Sequence, residues 1–372
     1  MLASLAMTMV TLAGFATPAA AYRASIVIDA DSGMVLEAKR ADRRLYPASL
    51  SKMMTLYLLF EALDEGRVTL ATRMRVSRRA AGQPKSKLGV KAGSTITVHQ
   101  AIQALIVRSA NDVATVIAEA LGGEEWKFAA LMTRKARELG MRRTSFRNAS
   151  GLPNRRQITT ARDMATLARA MYRDFPHHYH YFATRSFRYK GKTYQTYNHL
   201  LTRYPGADGL KTGYIRASGF NLAFSAERGG KRLIGVVLGG GTPGSRDRAM
   251  ARLLDQGFAR VRRAYAKLPP PPPTKPILVA EGDWAVQVGA FGDLGSALAA
   301  LRATRVFVPP SVALAKAMVV PAEQGDGGLF RARFVGVPVV QARRACLILA
   351  RKGRDCEVVR HTPDTDAILM GD

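Results

Sequence analysis

Cysteine is almost absent from this chain: Cys346 and Cys356 are the only two in 372 residues, and both stand near the C-terminus. So few thiols exclude a cysteine-ligated metal module and a fold held by several bridges. In an oxidising compartment the pair can close one disulfide, stabilising a small domain by about 3 kcal/mol; otherwise they are two buried thiols. Histidine is scarce too, six in all, without a metal-ligand spacing. His177, His178 and His180 cluster in a polar, aromatic stretch that reads as a solvated loop rather than a zinc site, so no metal is expected. Acidic residues number half the basic ones, 28 against 56, which leaves a formal charge of +28. Long apolar runs are missing apart from residues 1–21. That segment ends in Pro18, Ala19, Ala20 and Ala21 and reads as a secretory signal cleaved near Ala21 or, since no basic residue precedes its apolar core, as an uncleaved anchor.

What remains has a soluble globular composition, 47% hydrophobic and 23% charged, with length for two or three domains. The basic balance suits an acidic polymer, anionic headgroups or nucleic acid; export favours cell-wall carboxylates and a membrane surface over nucleic acid. Residues 25–29 alternate like a strand, and Asp31-Ser32-Gly33 turns the chain into a second. Helical spacing marks residues 50–63, 113–121 and 164–171. Strand patterns return at 219–224 and 233–238 around Gly229-Gly230, before a helix from about 246 to 261. Strands at both ends with helices between them predict one sheet built from both termini and covered by helices, an α+β domain over 22–265. Pro269 to Pro273, with Pro276, predict an extended spacer over 266–279. Beyond it, two strand-plus-helix halves, 284–301 and 330–349, and a closing strand at 356–359 predict a small α/β domain over 280–362 with helices on one face, then an acidic tail, 363–372.

Three short motifs carry chemistry. In Pro47-Ala48-Ser49-Leu50-Ser51-Lys52, a hydroxyl and an amine share a helix face one turn apart. Such an amine can take the proton of the serine if burial and a second cation lower its pKa; alone, the pair is equally a helix cap and a surface charge. Ser109-Ala110-Asn111 precedes a helix, where such residues usually cap. Lys211-Thr212-Gly213-Tyr214 puts a cation and a hydroxyl on a strand edge, with a glycine permitting close approach.

In this order and on these elements, S-x-x-K, S-x-N and K-T-G together form the signature of penicillin-binding proteins and class A β-lactamases. With their flanks, Tyr46 to Thr55 and Asp208 to Tyr214, they closely resemble the low-molecular-mass D-alanyl-D-alanine carboxypeptidases over residues 25–262. The resemblance implies a β-lactamase/transpeptidase-like fold and no cofactor. It implies Ser49 as nucleophile, Lys52 as general base and Ser109 as proton relay to the leaving amine. Asn111 would orient Lys52 and the substrate backbone, Lys211 and Thr212 would bind the terminal carboxylate, and Arg246 would assist them. Backbone N–H groups of Ser49 and Tyr214 would form the oxyanion hole, each donor worth roughly 3 kcal/mol. Peptidoglycan stem peptides are the implied substrate. β-Lactams become covalent inhibitors, because no Glu-x-x-x-Asn pattern between Asn111 and Lys211 supplies a deacylating base.

Two departures stand out. Ile215 occupies a position where the family commonly has threonine, and the tail replaces the β-rich stalk and amphipathic membrane helix of many relatives. Residues 284–360 resemble instead a SPOR domain, a module that binds glycan strands lacking stem peptides at division sites. Gln287 and Arg333 are its expected glycan-facing residues, on an exposed sheet face. An RNA-binding reading would need stacking aromatics where Arg331 and Arg333 stand. The expectation is therefore an exported, periplasmic carboxypeptidase held at wall or septum. A D,D-endopeptidase using the same residues is one alternative, and a non-enzymatic wall-binding protein is another.

Overall fold

The computed structural model describes residues 22–266, 284–313, 315–321, 329–350, 352–361 and 368–369. The expected signal at 1–21, nearly all of the spacer, and the acidic tail other than 368–369 lie outside the described residues. The chain divides into two compact units, Met1–Lys267 and Leu268–Asp372.

The first unit opens with a hairpin of β1 (Ala24–Asp29) and β2 (Val35–Lys39), whose turn is fixed by Ser32 donating from both backbone and hydroxyl to Asp29 Oδ1 at 2.7 and 2.6 Å. A long α1 (Ser51–Asp64) leads to β3 (Arg73–Arg75), α2 (Arg78–Ala81), β4 (Thr95–Thr97) and α3 (Val98–Gln103). Then come α4 (Asn111–Gly122), α5 (Glu125–Glu138), α6 (Ala161–Asp174) and α7 (Pro176–Tyr179). A small hairpin, β5 (Ser186–Tyr189) and β6 (Lys192–Gln195), and the turn α8 (Leu200–Arg203) precede the returning strands. These are β7 (Ala207–Ile215), β8 (Gly219–Arg228) and β9 (Lys231–Gly240), followed by α9 (Pro243–Ala266).

The main sheet runs β2-β1-β9-β8-β7, antiparallel throughout, so both ends of the unit build it. The period-2 alternation sorts its side chains. Ile26, Ile28, Ile234 and Val236 face the core shared with α1 and α6, while Val27, Leu233, Val237 and Phe224 pack with Met250 and Leu254 of α9. Gly229 and Gly230, at φ of 56° and 68°, make the β8–β9 turn with both residues in the left-handed region, as such hairpins require. The α1 pattern predicts an ordinary helix, but the fold runs it through the middle of the unit, buried on nearly every side from Ser51 to Phe60. That position removes Lys52 from water.

The second unit holds β10 (Trp284–Phe291), α10 (Leu294–Arg305), α11 (Pro310–Ala313), β11 (Lys316–Pro321), β12 (Phe330–Val337), α12 (Val339–Ala350), β13 (Glu357–Arg360) and β14 (Ile368–Leu369). Its sheet, β13-β10-β12-β11-β14, packs Val286, Phe334 and Val319 against Leu301, Ala345 and Leu349 of the helices. The two strand-helix halves are as expected from the pattern; β11 and β14 are additional, and β14 lies inside the segment read as tail. Cys346 and Cys356 are joined as a disulfide, with Cα atoms 5.1 Å apart. Gln287 and Arg333 oppose each other across β10 and β12, but both are half-buried rather than exposed.

Candidate active site

Three segments meet at the start of α1. Ser49 lies in a tight turn, Ala48–Leu50, just before the helix, and neither that turn nor α1 has a side-chain cap. Ser49 is thus free of the capping role its position suggested. Lys52, one turn on, is fully buried. Its Nζ lies 3.1 Å from Ser49 Oγ, and it donates to Asn111 Oδ1 at 2.7 Å and to the Ser150 carbonyl at 2.5 Å. Burial holds its pKa well below the ordinary lysine value; the positive Lys211 pushes the same way, against weaker opposition from Asp112 and Glu125. A neutral amine has two N–H donors and one lone pair. Two neighbours of Nζ are carbonyl oxygens, which only accept, so in the neutral form the lone pair would be left for the Ser49 hydroxyl.

Residues 104–108 form a π turn that ends at Ser109 in the left-handed region, φ 55° and ψ 39°. Wide turns of this kind and non-glycine residues at positive φ recur at functional sites. The N-cap of α4 is Ala110, which makes no side-chain cap, so neither Ser109 nor Asn111 does the ordinary work of its position. Ser109 Oγ is buried without a hydrogen-bond partner among the described residues. A buried hydroxyl left unpaired costs about 1–3 kcal/mol, so it calls for a role. Asn111 is held from both ends: Nδ2 donates to the Pro84 carbonyl at 3.1 Å and its backbone N–H to Ser86 O at 2.8 Å.

The third segment is the edge strand β7. Lys211 is fully buried and donates to the Thr212 carbonyl at 2.9 Å. Burial first, and Arg246 second, lower its pKa to about 7. Arg246, at the start of α9, is buried and held by Asp247 Oδ1 at 2.9 Å from Nε. A Cβ on Gly213 would stand 3.1 Å from the Ser49 backbone nitrogen, so the glycine lets β7 run directly beside the serine. Tyr214 next to it is 54% exposed and stacks on Phe220 at 4.3 Å between ring centroids.

Ser49, Ser109, Asn111, Thr212, Tyr214 and Arg246 line one cleft of about 520 Å³. Lys52 and Lys211, both fully buried, are not part of that lining. The eight residues expected in this domain are thereby brought to one place. A hydroxyl beside a buried amine of lowered pKa, an unpaired second hydroxyl and a group of buried basic side chains can perform acyl transfer on a substrate ending in a carboxylate.

Sequence reasoning missed four supports. The Ser150 carbonyl on Lys52 belongs to a loop pinned by Thr55 Oγ1 donating to Ala149 O at 2.7 Å. Gly151, at φ 87°, touches the serine turn so closely that a Cβ would lie 1.9 Å from Ala48 O. Asp112 accepts from the backbone N–H groups of Leu88, Gly89 and Val90 at 3.0, 2.7 and 3.2 Å and so fastens the loop that carries Pro84 and Ser86. Asn221 donates to Tyr46 O and Pro47 O at 3.0 and 3.1 Å, tying β8 to the approach to Ser49. The adjacency of Asp112 to Asn111 was the one available signal.

In the second unit, Arg333 donates from Nε to Gln287 Oε1 at 2.9 Å, and Gln287 Nε2 donates to Glu357 Oε2 at 3.3 Å. The two expected glycan-facing residues are therefore joined to each other and to Glu357 on the sheet.

Residues 13–242 match the family model described as D-alanyl-D-alanine carboxypeptidase. The D-alanyl-D-alanine carboxypeptidase DacF of Bacillus subtilis is 34% identical over 243 residues, 64% of this chain and 62% of that relative, so the chain spans less than two thirds of its length. The crystal structure of penicillin binding protein 5 from Haemophilus influenzae superposes with a TM-score of 0.63 at 31% identity, covering 66% of this chain and 73% of that one. A penicillin-binding protein of Listeria monocytogenes in its cefotaxime-bound form gives 0.59 at 30% identity, covering 64% and 97%.

Proposed function

The chain belongs to the D-alanyl-D-alanine carboxypeptidase family, and from that premise we propose that it removes the terminal D-alanine from peptidoglycan stem peptides through an acyl-enzyme at Ser49. The observation that carries the reading is the buried Lys52 amine, 3.1 Å from Ser49 Oγ and held on its other sides by Asn111 and Ser150. Ser49 Oγ attacks the carbonyl carbon of the penultimate D-alanine as its proton passes to Lys52 Nζ. The developing oxyanion is met by the backbone N–H groups of Ser49 and Tyr214, a reading supported by the close approach of Gly213, next to Tyr214, to the Ser49 nitrogen. Collapse breaks the peptide bond, and the departing amine takes its proton by way of Ser109. Water then cleaves the ester, with Lys52 receiving the water proton, and Ser49 is regenerated. Lys211, Thr212 and Arg246 hold the terminal carboxylate through acylation, until it departs with the released D-alanine.

β-Lactams would acylate Ser49 in the same way, consistent with the cefotaxime-bound relative. The test is D-alanine release from a pentapeptide ending in D-Ala-D-Ala. Release by the intact protein that is lost in Ser49→Ala supports the reading, whereas penicillin labelling without any release points to cross-link cleavage by the same site.

The second unit we read as a SPOR-type module that holds an exported enzyme on peptidoglycan glycan strands, with the basic surface adding attraction to wall carboxylates and anionic headgroups. The sequence pattern of residues 1–21, the proline run at 269–273 and the two strand-helix halves support this. No helix among the described residues is long and apolar enough to cross a membrane. Deleting residues after Pro276 should abolish septal localisation; unchanged localisation would overturn the assignment.

A further inference from the structure

At the far end of α1 from the serine, about 18 Å along the helix from Lys52 at 1.5 Å per residue, two imidazoles converge on one carboxylate. His177 Nε2 is 2.7 Å and His178 Nε2 3.1 Å from Asp64 Oδ1. One ligand atom from each of the three lies within 4.8 Å of the others. The sequence pattern placed these histidines in a solvated loop; the fold instead aims both Nε2 atoms at the last residue of α1.

We infer that Asp64, His177 and His178 form a binding site for a divalent transition-metal ion of the zinc class. Four features of the cluster support it. Two imidazoles and one carboxylate are the donor set that suits zinc, leaving further positions to water, whereas calcium and magnesium prefer all-oxygen sites. The His178 ring is fixed before any ion arrives, stacked on Phe60 at 4.8 Å and 27°. Asp64 closes a 14-residue helix, where the partial negative charge of the helix end adds to the carboxylate. The His177 side chain is 42% exposed, which gives an ion a way in and keeps solvent at the open positions, while the side chains of His178 and Asp64 are at 14% and 19%, although Asp64 as a whole residue is exposed. Each imidazole would exchange its Nε2–H for the metal and keep the proton on Nδ1. An ion there would join the C-terminal end of α1 to α7 and act as a clasp on the helix that begins beside Ser49.

The experiment uses the full chain without a histidine tag, stripped with chelator and titrated with Zn²⁺ in a calorimeter. Stoichiometric binding of one ion per chain in the micromolar range is expected, with a melting temperature that rises with zinc concentration. Co²⁺ should give a visible d–d spectrum of a low-coordinate nitrogen and oxygen site. His177→Gln and Asp64→Asn should each lose the stoichiometric event and the Co²⁺ band while keeping the metal-free melting temperature within a few degrees. His180→Gln, outside the trio, should bind as the parent does. No stoichiometric binding by the parent, or binding and spectrum unchanged in His177→Gln and Asp64→Asn, would overturn the site.

Discussion

In the first unit, Lys52 and Lys211 are fully buried, and neither faces a carboxylate at ion-pair distance among the described residues; Arg246 beside them has Asp247. In the second unit the half-buried Arg333 and Gln287 of the sheet are joined in a row with the exposed Glu357. Burying an amine without a counter-charge costs several kcal/mol or forces it to lose its proton. The first unit accepts that cost and adds Ala48 and Ser109 at positive φ and an unpaired Ser109 hydroxyl. Among the described residues of the second unit, no non-glycine residue stands at positive φ and no buried side-chain polar atom lacks a partner. In this cleft, unpaired and strained groups gather beside the two buried amines, the combination that recurs at functional sites.

The sharpest way to break this contrast is Lys52→Met, which keeps the volume and removes the amine. Loss of the general base should lower D-alanine release by about 10²–10⁴-fold. The same change relieves a buried, poorly compensated group, so thermal stability should hold or rise. A variant that melts much lower would show Lys52 to be structural, and one that retains activity would remove it from the mechanism. Gly151→Ala should act next most strongly, because its Cβ would meet Ala48 O at 1.9 Å and its φ is 87°. Displacing the serine turn by about 1 Å should cost about 10²-fold in kcat, read together with melting to separate misplacement from unfolding.

How much of this could be read from the chain follows from where the information lies. Ser49, Lys52, Ser109, Asn111, Lys211 and Thr212 stand in short motifs of chemistry-bearing side chains, and strand alternation with helical spacing gave a sheet built from both termini and covered by helices. The Ser150 carbonyl contributes only backbone, which every residue has, and its segment reaches α1 through Thr55 across 94 positions. Asn221 and Asp112 likewise act on backbone groups, and apart from the adjacency of Asp112 to Asn111 nothing local distinguishes them from surface polar residues. The Asp64 cluster joins residues 113 and 114 positions apart, so spacing within the histidine stretch alone pointed to a loop. In the second unit, alternation placed Gln287 and Arg333 on one sheet face but could not show that they would pair.

A pH profile sharpens the contrast further. Lys52 must be neutral to accept a proton and Lys211 charged to hold a carboxylate, and both have lowered pKa values. As pH rises through about 7, free enzyme loses the Lys211 charge, so kcat/KM should fall by about tenfold per pH unit on that limb once past it. A bound carboxylate stabilises the charged form, so the alkaline limb of kcat should lie at higher pH. Lys211→Arg, which stays protonated, should abolish the limb in kcat/KM even if its absolute rate is lower. A profile unchanged by that variant would assign the limb elsewhere.

The smallest effect on activity is expected from the second unit, and its absence is informative. Replacing Cys346 and Cys356 by serine opens a loop with a sequence separation of 10, which should cost the second unit about 3 kcal/mol. If the satisfied sheet and the strained cleft are separate in energy as well as in chemistry, this appears as an earlier melting transition of the second unit alone. D-alanine release from a soluble pentapeptide should stay within a factor of two, a change of only about 0.4 kcal/mol, while retention on isolated peptidoglycan declines. A parallel loss of release would mean that the second unit supports the cleft, and the division drawn between the two regions would fail.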